Sequence, residues 1–302
     1  MKEKVAILVL LICAVKVFSQ ELKTDTFRLF YLGGQSNMDG YGYNSKLPDS
    51  LNTIFEDVYI FHGNPVGDNE KNGGLGNWTQ LRPGHGVGFK SDSLGNNYSN
   101  RFGVELSFAS KLKQLYPNNQ IAIIKYSRGG TSIDSLAGAY AGSWDPDFSG
   151  VNQYDYFLKT VKNALKIKDI NQDGKEDVLI PKGIIWMQGE SDAAYTEAVA
   201  EEYYSNLKRL MTLQRAALHN NKLPIVIGKI SDSRSGENGK TWHFLELVQY
   251  AQEKFAQNDN KASVVRTTKN YEYSDPWHYD SKGFIDLGEQ FAKAIKKLND
   301  KK

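Results

Sequence analysis

Apolar runs alternate with amphipathic stretches from Phe27 to Leu298, and this order predicts an α/β fold with helices packed around a mostly parallel sheet. Two further observations point the same way. Polar, glycine-bearing motifs follow several of the apolar runs, as expected at the carboxyl edge of an open α/β sheet. No linker or charge run divides the chain, so residues 20–302 are expected to form one domain. With 302 residues, 40% hydrophobic and 24% charged, the chain is long enough to bury a large core and is unlike disordered or fibrous sequences.

The strands are expected at Phe27–Leu32, Val58–Phe61, Ile121–Tyr126, Gly183–Gln188, Pro224–Ile230 and Ser263–Arg266. Helical periodicity runs over Val104–Leu115, Tyr154–Ile167, Thr196–Leu218, Trp242–Phe255 and Phe284–Leu298. Between the second and third strands lies a Gly- and Asn-rich insert, Gly63–Asn100, with little periodicity. It contains Trp78, Phe89 and Tyr98, which favours an ordered loop beside a ligand cleft.

At the amino terminus, Lys2 and Lys4 precede an apolar run, Val5–Val15, that closes on the small residue Ser19. This is the layout of a secretory signal peptide over residues 1–19. The run is broken by Lys16 and is shorter than the roughly 20 apolar residues a bilayer span needs. A lipoprotein reading at Cys13 is disfavoured by the bulky Ile12 before it. Cleavage near Ser19 would leave a secreted or periplasmic chain with no cysteine, and hence no disulfide or thiolate metal site. It would also remove Lys2, Lys4, Lys16 and Glu3, taking the net charge from +2 to zero. No basic excess then remains for nucleic acid or an anionic membrane, and neither is expected as a partner.

The first strand runs into FYLGGQSNMDG, which puts Ser36 behind a glycine pair at a strand's carboxyl end. A serine there can expose its hydroxyl while nearby N–H groups face a developing oxyanion. Gly33, Gly34 and Asn37 by themselves make only a turn. Near the other end, YSDPWHYDSKG supplies Asp275 and His278 from one short loop. A serine nucleophile needs a base in hydrogen-bond reach, and that base needs a group to fix its tautomer. YSRGGTSI after the third strand offers Gly129 or Gly130 as a backbone donor. IIWMQGESD after the fourth ends an apolar run at Gln188, Gly189 and Glu190, and a side-chain amide such as Gln188 can donate to an oxyanion.

On these motifs the chain resembles the SGNH hydrolases, in the branch that holds sialate O-acetylesterases and carbohydrate esterase family 6 acetylxylan esterases. G-Q-S-N-M, G-G-T-S-I, W-M-Q-G-E-S-D and D-P-W-H are similar to its four blocks, from about Phe27 to Leu298. The resemblance implies a three-layer αβα sandwich, SGNH/flavodoxin-like, and a serine esterase that removes O-acetyl groups from a carbohydrate. It implies a triad of Ser36, Asp275 and His278 and no cofactor for catalysis. The usual Asn of the third block is absent; the branch implies that Gln188 takes its place, with Glu190 an unassigned acid in the same turn. Ser36, a glycine of the Gly129/Gly130 pair and Gln188 would then form the oxyanion hole. An SGNH lipase or thioesterase would require a long apolar cleft that the polar insert does not suggest, and a non-catalytic glycan-binding protein would not need the intact triad.

A separate motif, DINQDGKED, sets Asp169, Asn171, Asp173 and Asp177 at the spacing of a calcium loop, with Gly174 at its sharp turn. Ile180 stands where a twelfth-position acid would complete an EF-hand. The alternatives are a structural calcium site and a solvated turn before the next strand.

Overall fold

The computed structural model describes residues 24–65, 72–138 and 141–301. The expected signal peptide lies outside the described residues. The sheet is built from β1 (Thr26–Gly34), β2 (Phe55–His62), β3 (Trp78–Leu81), β4 (Gln120–Ser127), β5 (Val178–Met187), β6 (Ile225–Gly228) and β7 (Ala262–Val265). Their order is β7-β6-β5-β1-β4-β2-β3, with every pair parallel except β2 and β3.

The helices are α1 (Ser36–Asp39), α2 (Glu105–Leu115), α3 (Gln153–Lys166), α4 (Glu190–Tyr195), α5 (Glu197–Ala217), α6 (Leu245–Asn258) and α7 (Ser281–Asp300). Successive residues of β1 face opposite layers. Phe30 meets Phe108 of α2, with ring centroids 5.4 Å apart, and Tyr31 meets Phe157 of α3 at 4.8 Å. Helices α2 and α7 pack together on the first face, where Ile295 of α7 lies against Gly183 of β5. The result is the expected three-layer αβα sandwich. Each large apolar side chain buried in this core contributes roughly 1.5–3 kcal/mol. Side-chain oxygens cap three helices: Asn152 accepts from Asp155 N at 3.1 Å, Thr196 from Val199 N at 3.3 Å and Asp280 from Gly283 N at 2.7 Å.

β5 stops at Met187, so Gln188 begins the turn and does not end the strand. The insert carries a strand that periodicity does not reveal. β3 is four residues long and pairs antiparallel on the sheet edge, held by buried Trp78 and Leu81. Trp78 Nε1 donates to the carbonyl of Ala164 in α3 at 3.0 Å.

The site follows from the register. Gly34 pairs with Ser127 of β4 and with Met187 of β5, so three strands end level at one edge. Chain leaving β1 runs toward β2, and chain leaving β5 runs toward β6 on the other side. A crevice opens at such a switch point.

Candidate active site

Gly34 has φ +146, and a Cβ there would lie 1.9 Å from the Met187 carbonyl oxygen, so only glycine lets β1 and β5 approach this closely. Gln35 N then donates to Met187 O at 2.9 Å, and Ser36 opens α1 directly behind that clamp. Gly129 sits on the opposite side of Ser36, where a Cβ would stand 3.4 Å from the serine Cβ. Gly130 takes φ +74 in the same turn.

The loop after β7 brings its pair to the same cleft. Asp275 Oδ2 lies 2.7 Å from His278 Nδ1, and Oδ1 accepts from the main-chain N–H groups of Trp277 and His278 at 2.8 Å each. Burial pushes the Asp275 carboxyl up, but the bond to His278 and these two N–H groups outweigh it and hold it below the usual carboxylate range. Burial lowers His278 by more than Asp275 raises it, which holds the imidazole below the usual histidine range. Its ring stacks on Tyr41, with centroids 3.5 Å apart and planes at 6°.

Ser36, His278, Tyr41, Gly129, Gly130, Trp242 and Trp277 all line one cleft of about 670 Å³, and Val87 of the insert reaches its wall. Trp277 is 52% exposed, an unusual state for so large an aromatic side chain.

Gln188 is placed differently from what the motif implies. It is fully buried, and its Nε2 donates to Thr131 O at 3.1 Å, Gln35 Oε1 at 3.1 Å and Asp192 Oδ2 at 2.6 Å. Its Oε1 accepts from Tyr203 at 3.0 Å. Asp192 in turn accepts from the N–H groups of Ile133 and Asp134, which ties the turn after β5 to the one after β4. Gln188 thus knits two loops together beneath the cleft, with its N–H groups already engaged.

Glu190 has a definite neighbour. Its Oε1 accepts from Asn37 Nδ2 at 2.8 Å, and Asn37 also donates to Trp277 O at 3.1 Å and accepts from Tyr279 N at 3.3 Å. Asn37 therefore fastens α1 to the loop bearing Asp275 and His278. Burial raises Glu190 to about 7 against the Asn37 bond, and raises Asp192 to about 6 against the bonds from Gln188, Asp134 and Ile133. Asp39, also in the cleft, is raised by burial to about 6, opposed by Lys125 and by bonds from Ser127 and Gly129.

Asn37, Tyr41, Asp39 and Trp277 join the site without having been marked by residue type in the motifs. The signal for Asn37 and Trp277 is their place beside Ser36 and His278 within the motifs; Tyr41 carries no local signal.

The acidic loop closes on itself. Asp169 accepts from the N–H groups of Asp173 and Gly174 at 3.1 and 2.9 Å, Asn171 from Asp173 N at 3.1 Å, and Asp177 from Ile170 N at 2.7 Å. Among the described residues, no three acids, histidines or cysteines are grouped so as to hold a metal ion.

No curated protein matches the sequence. Among solved structures, one similar fold is that of a protein from Arabidopsis thaliana, with TM-score 0.62 and 20% identity over 91% of this chain and 99% of that one. Another is a carbohydrate acetylesterase from Xanthomonas citri, with TM-score 0.62 and 17% identity; the match covers 90% of this chain but 56% of that one, so this chain spans little more than half its length. A third is NanS, with TM-score 0.60 and 17% identity over 92% and 98% of the two chains. At such identities these structures share the fold. The family model described as carbohydrate esterase, sialic acid-specific acetylesterase matches residues 26–297, and the chain belongs to that family.

Proposed function

We propose that the chain is a serine esterase that removes O-acetyl groups from a carbohydrate through an acetyl-enzyme. The observation that carries this reading is the Asp275–His278 pair, hydrogen-bonded at 2.7 Å and in one cleft with Ser36. His278 takes the Ser36 proton as Oγ bonds to the acetyl carbon, then returns it to the departing sugar oxygen; water repeats the sequence and releases acetate. Asp275 holds the imidazole in the required tautomer. The N–H of Ser36 and the Gly129/Gly130 turn supply backbone donors to the oxyanion. Gln188 is assigned to positioning these loops.

Two tryptophans and Tyr41 give the cleft apolar faces, while Gln35, Asp39 and Ser191 give it polar ones. That mixture suits a sugar ring better than the long acyl chain of a lipase or thioesterase substrate. Ser36→Ala should abolish acetate release from an aryl acetate and from acetylated sugars with the melting temperature unchanged. Turnover near wild type would remove Ser36 as nucleophile, and failure of a serine-reactive phosphonate to label the wild type would favour a glycan-binding protein.

Export of the mature chain is expected as well. No helix of the described residues is long and apolar enough to cross a membrane, and a leader cleaved near Ser19 would leave residues 20–302 as one esterase domain outside the cytoplasm. The mass of the mature protein tests this. A structural calcium ion in the Asp169–Asp177 loop is a smaller part of the proposal, supported by side-chain oxygens on alternate residues and by Gly174 at φ +84. A chelator should then lower the melting temperature; an unchanged melt leaves a turn.

A further inference from the structure

The two glutamines beside the nucleophile divide their work in a way the hydrogen bonds decide. Gln35 Oε1 accepts from the Gly189 N–H at 3.2 Å, from the Ser191 N–H at 3.4 Å and from Gln188 Nε2 at 3.1 Å. A main-chain N–H can only donate, so the two backbone bonds fix the Gln35 oxygen on that side and turn its NH₂ group the other way. Gln188 is fixed by the same logic: its NH₂ faces the carbonyl of Thr131 and the carboxylate of Asp192, and its oxygen faces the Tyr203 hydroxyl.

Gln188 is spent, and Gln35 is not. Gln35 is only 3% exposed, yet it lines the catalytic cleft next to Ser36. Its Nε2 has no acceptor among the described residues, and it is not one of the sealed, unpartnered polar atoms of the interior. An amide whose oxygen is held by two main-chain donors, and whose NH₂ is thereby turned to the other side in a residue that lines the cleft, is a preorganised donor.

We propose that Gln35 Nε2 is the side-chain donor to the reacting acetyl group, hydrogen-bonding the oxyanion together with the backbone N–H groups of Ser36 and the Gly129/Gly130 turn. Gln188 then acts as a positioning residue that ties the turn after β5 to the turn after β4 beside Gln35. The proposal rests on the serine-esterase reading above. It places the donor on the nucleophile's own segment, delivered toward Gly189 and Ser191, so that the turn after β5 holds the donor without supplying it.

The test compares Gln35→Ala and Gln35→Glu with wild type, measuring kcat per phosphonate-titrated Ser36, KM for an aryl acetate, and melting temperature. Gln35→Glu keeps an oxygen for Gly189 and Ser191 and replaces the donor by an acceptor. It should melt near wild type and lose roughly 100- to 1000-fold in kcat with KM little changed, the usual cost of removing one oxyanion donor. Gln35→Ala should lose a similar factor and also melt lower. Near-normal kcat in folded Gln35→Glu would overturn the proposal while leaving the esterase reading intact, because titration of Ser36 reports that reading separately. A crystal structure of the phosphonylated wild-type protein decides the matter without any variant. The phosphoryl oxygen should accept from Gln35 Nε2 at about 2.7–3.1 Å; an oxygen out of reach of Gln35, with Gln188 turned to meet it, would overturn the assignment.

Discussion

Glu190 is buried with one oxygen on Asn37 and the other without a partner, so its protonated form is favoured more than in a solvated carboxyl. Its folded pKa, about 7, lies above the ordinary 4.5. Between those values the folded chain keeps a proton that the unfolded chain has released. Its contribution to stability is therefore fully present below pH 4.5 and is lost as pH rises through about 7. A shift of this size corresponds to on the order of 3 kcal/mol. Asp39 and Asp192, each raised to about 6, act in the same direction. Glu190→Gln retains the oxygen that Asn37 needs and removes the titration, so its melting temperature should fall less than that of wild type between pH 5 and 8. Parallel curves for the two proteins would show that Glu190 does not titrate in this range. The activity profile has the opposite sense: His278 must be neutral to act, so kcat/KM should be lost as pH falls through a value below the ordinary 6.5 of histidine.

The elements that form the site are held by contacts at their ends. β1 and β5 close on each other at Gly34 and Met187, and the Ser36 segment and the turn after β5 both leave from that junction. Gly34→Ala would combine a disfavoured φ with a backbone clash and should cost about 3 kcal/mol or more, with kcat falling in the folded fraction because Ser36 and Gln35 both move. Gly174, at φ +84 with nothing within 4 Å of where a Cβ would stand, offers the control: Gly174→Ala should cost only about 1 kcal/mol and leave kcat unchanged. Urea unfolding of the two variants measures the contrast, and equal losses would show that strand approach is not what selects glycine at position 34. The longer helices and parallel strands are legible from periodicity to within about three residues at their ends, except that β5 begins at Val178, well before the expected Gly183. α1, α4 and β3 are not, because four to six residues are too few to show a period and their burial is set by what packs over them.

Across the whole molecule, a polar group at the centre of the fold joins parts far apart in the chain. Lys125 and Glu105 form an ion pair at 2.8 Å with neither side chain exposed. The same Lys125 Nζ donates to Asp39 O, at the end of α1, and to His85 O in the insert, each at 2.8 Å. Glu105 also accepts from Gly103 N at 2.8 Å. Lys125→Met would leave the Glu105 carboxylate buried without its cation and strand two carbonyls, which should cost roughly 3–5 kcal/mol. Lys125→Met with Glu105→Gln should recover part of that loss, since the unpaired charge is gone. Chemical denaturation of both proteins checks the order; a double variant less stable than the single one would show that the ion pair is not the main term.

The alternation of strands and helices, four polar motifs at strand ends, and Asp275 and His278 on one short loop are all legible in the amino-acid order. These are local properties, readable because side-chain periodicity and short loops act within a few residues. The tertiary fold adds which glutamine lines the cleft, what Glu190 touches, and how α1 is tied to the loop of Asp275 and His278. Asn37 and Trp277 are 240 residues apart in the chain, and Gln35 and Gln188 are 153 apart. Both Gln35 and Gln188 are amides beside the same sheet edge, and composition cannot distinguish them. Register can, because aligning Gly34 with Met187 puts the N–H groups of Gly189 and Ser191 against one oxygen, and the donor left over is then fixed by where that oxygen must point.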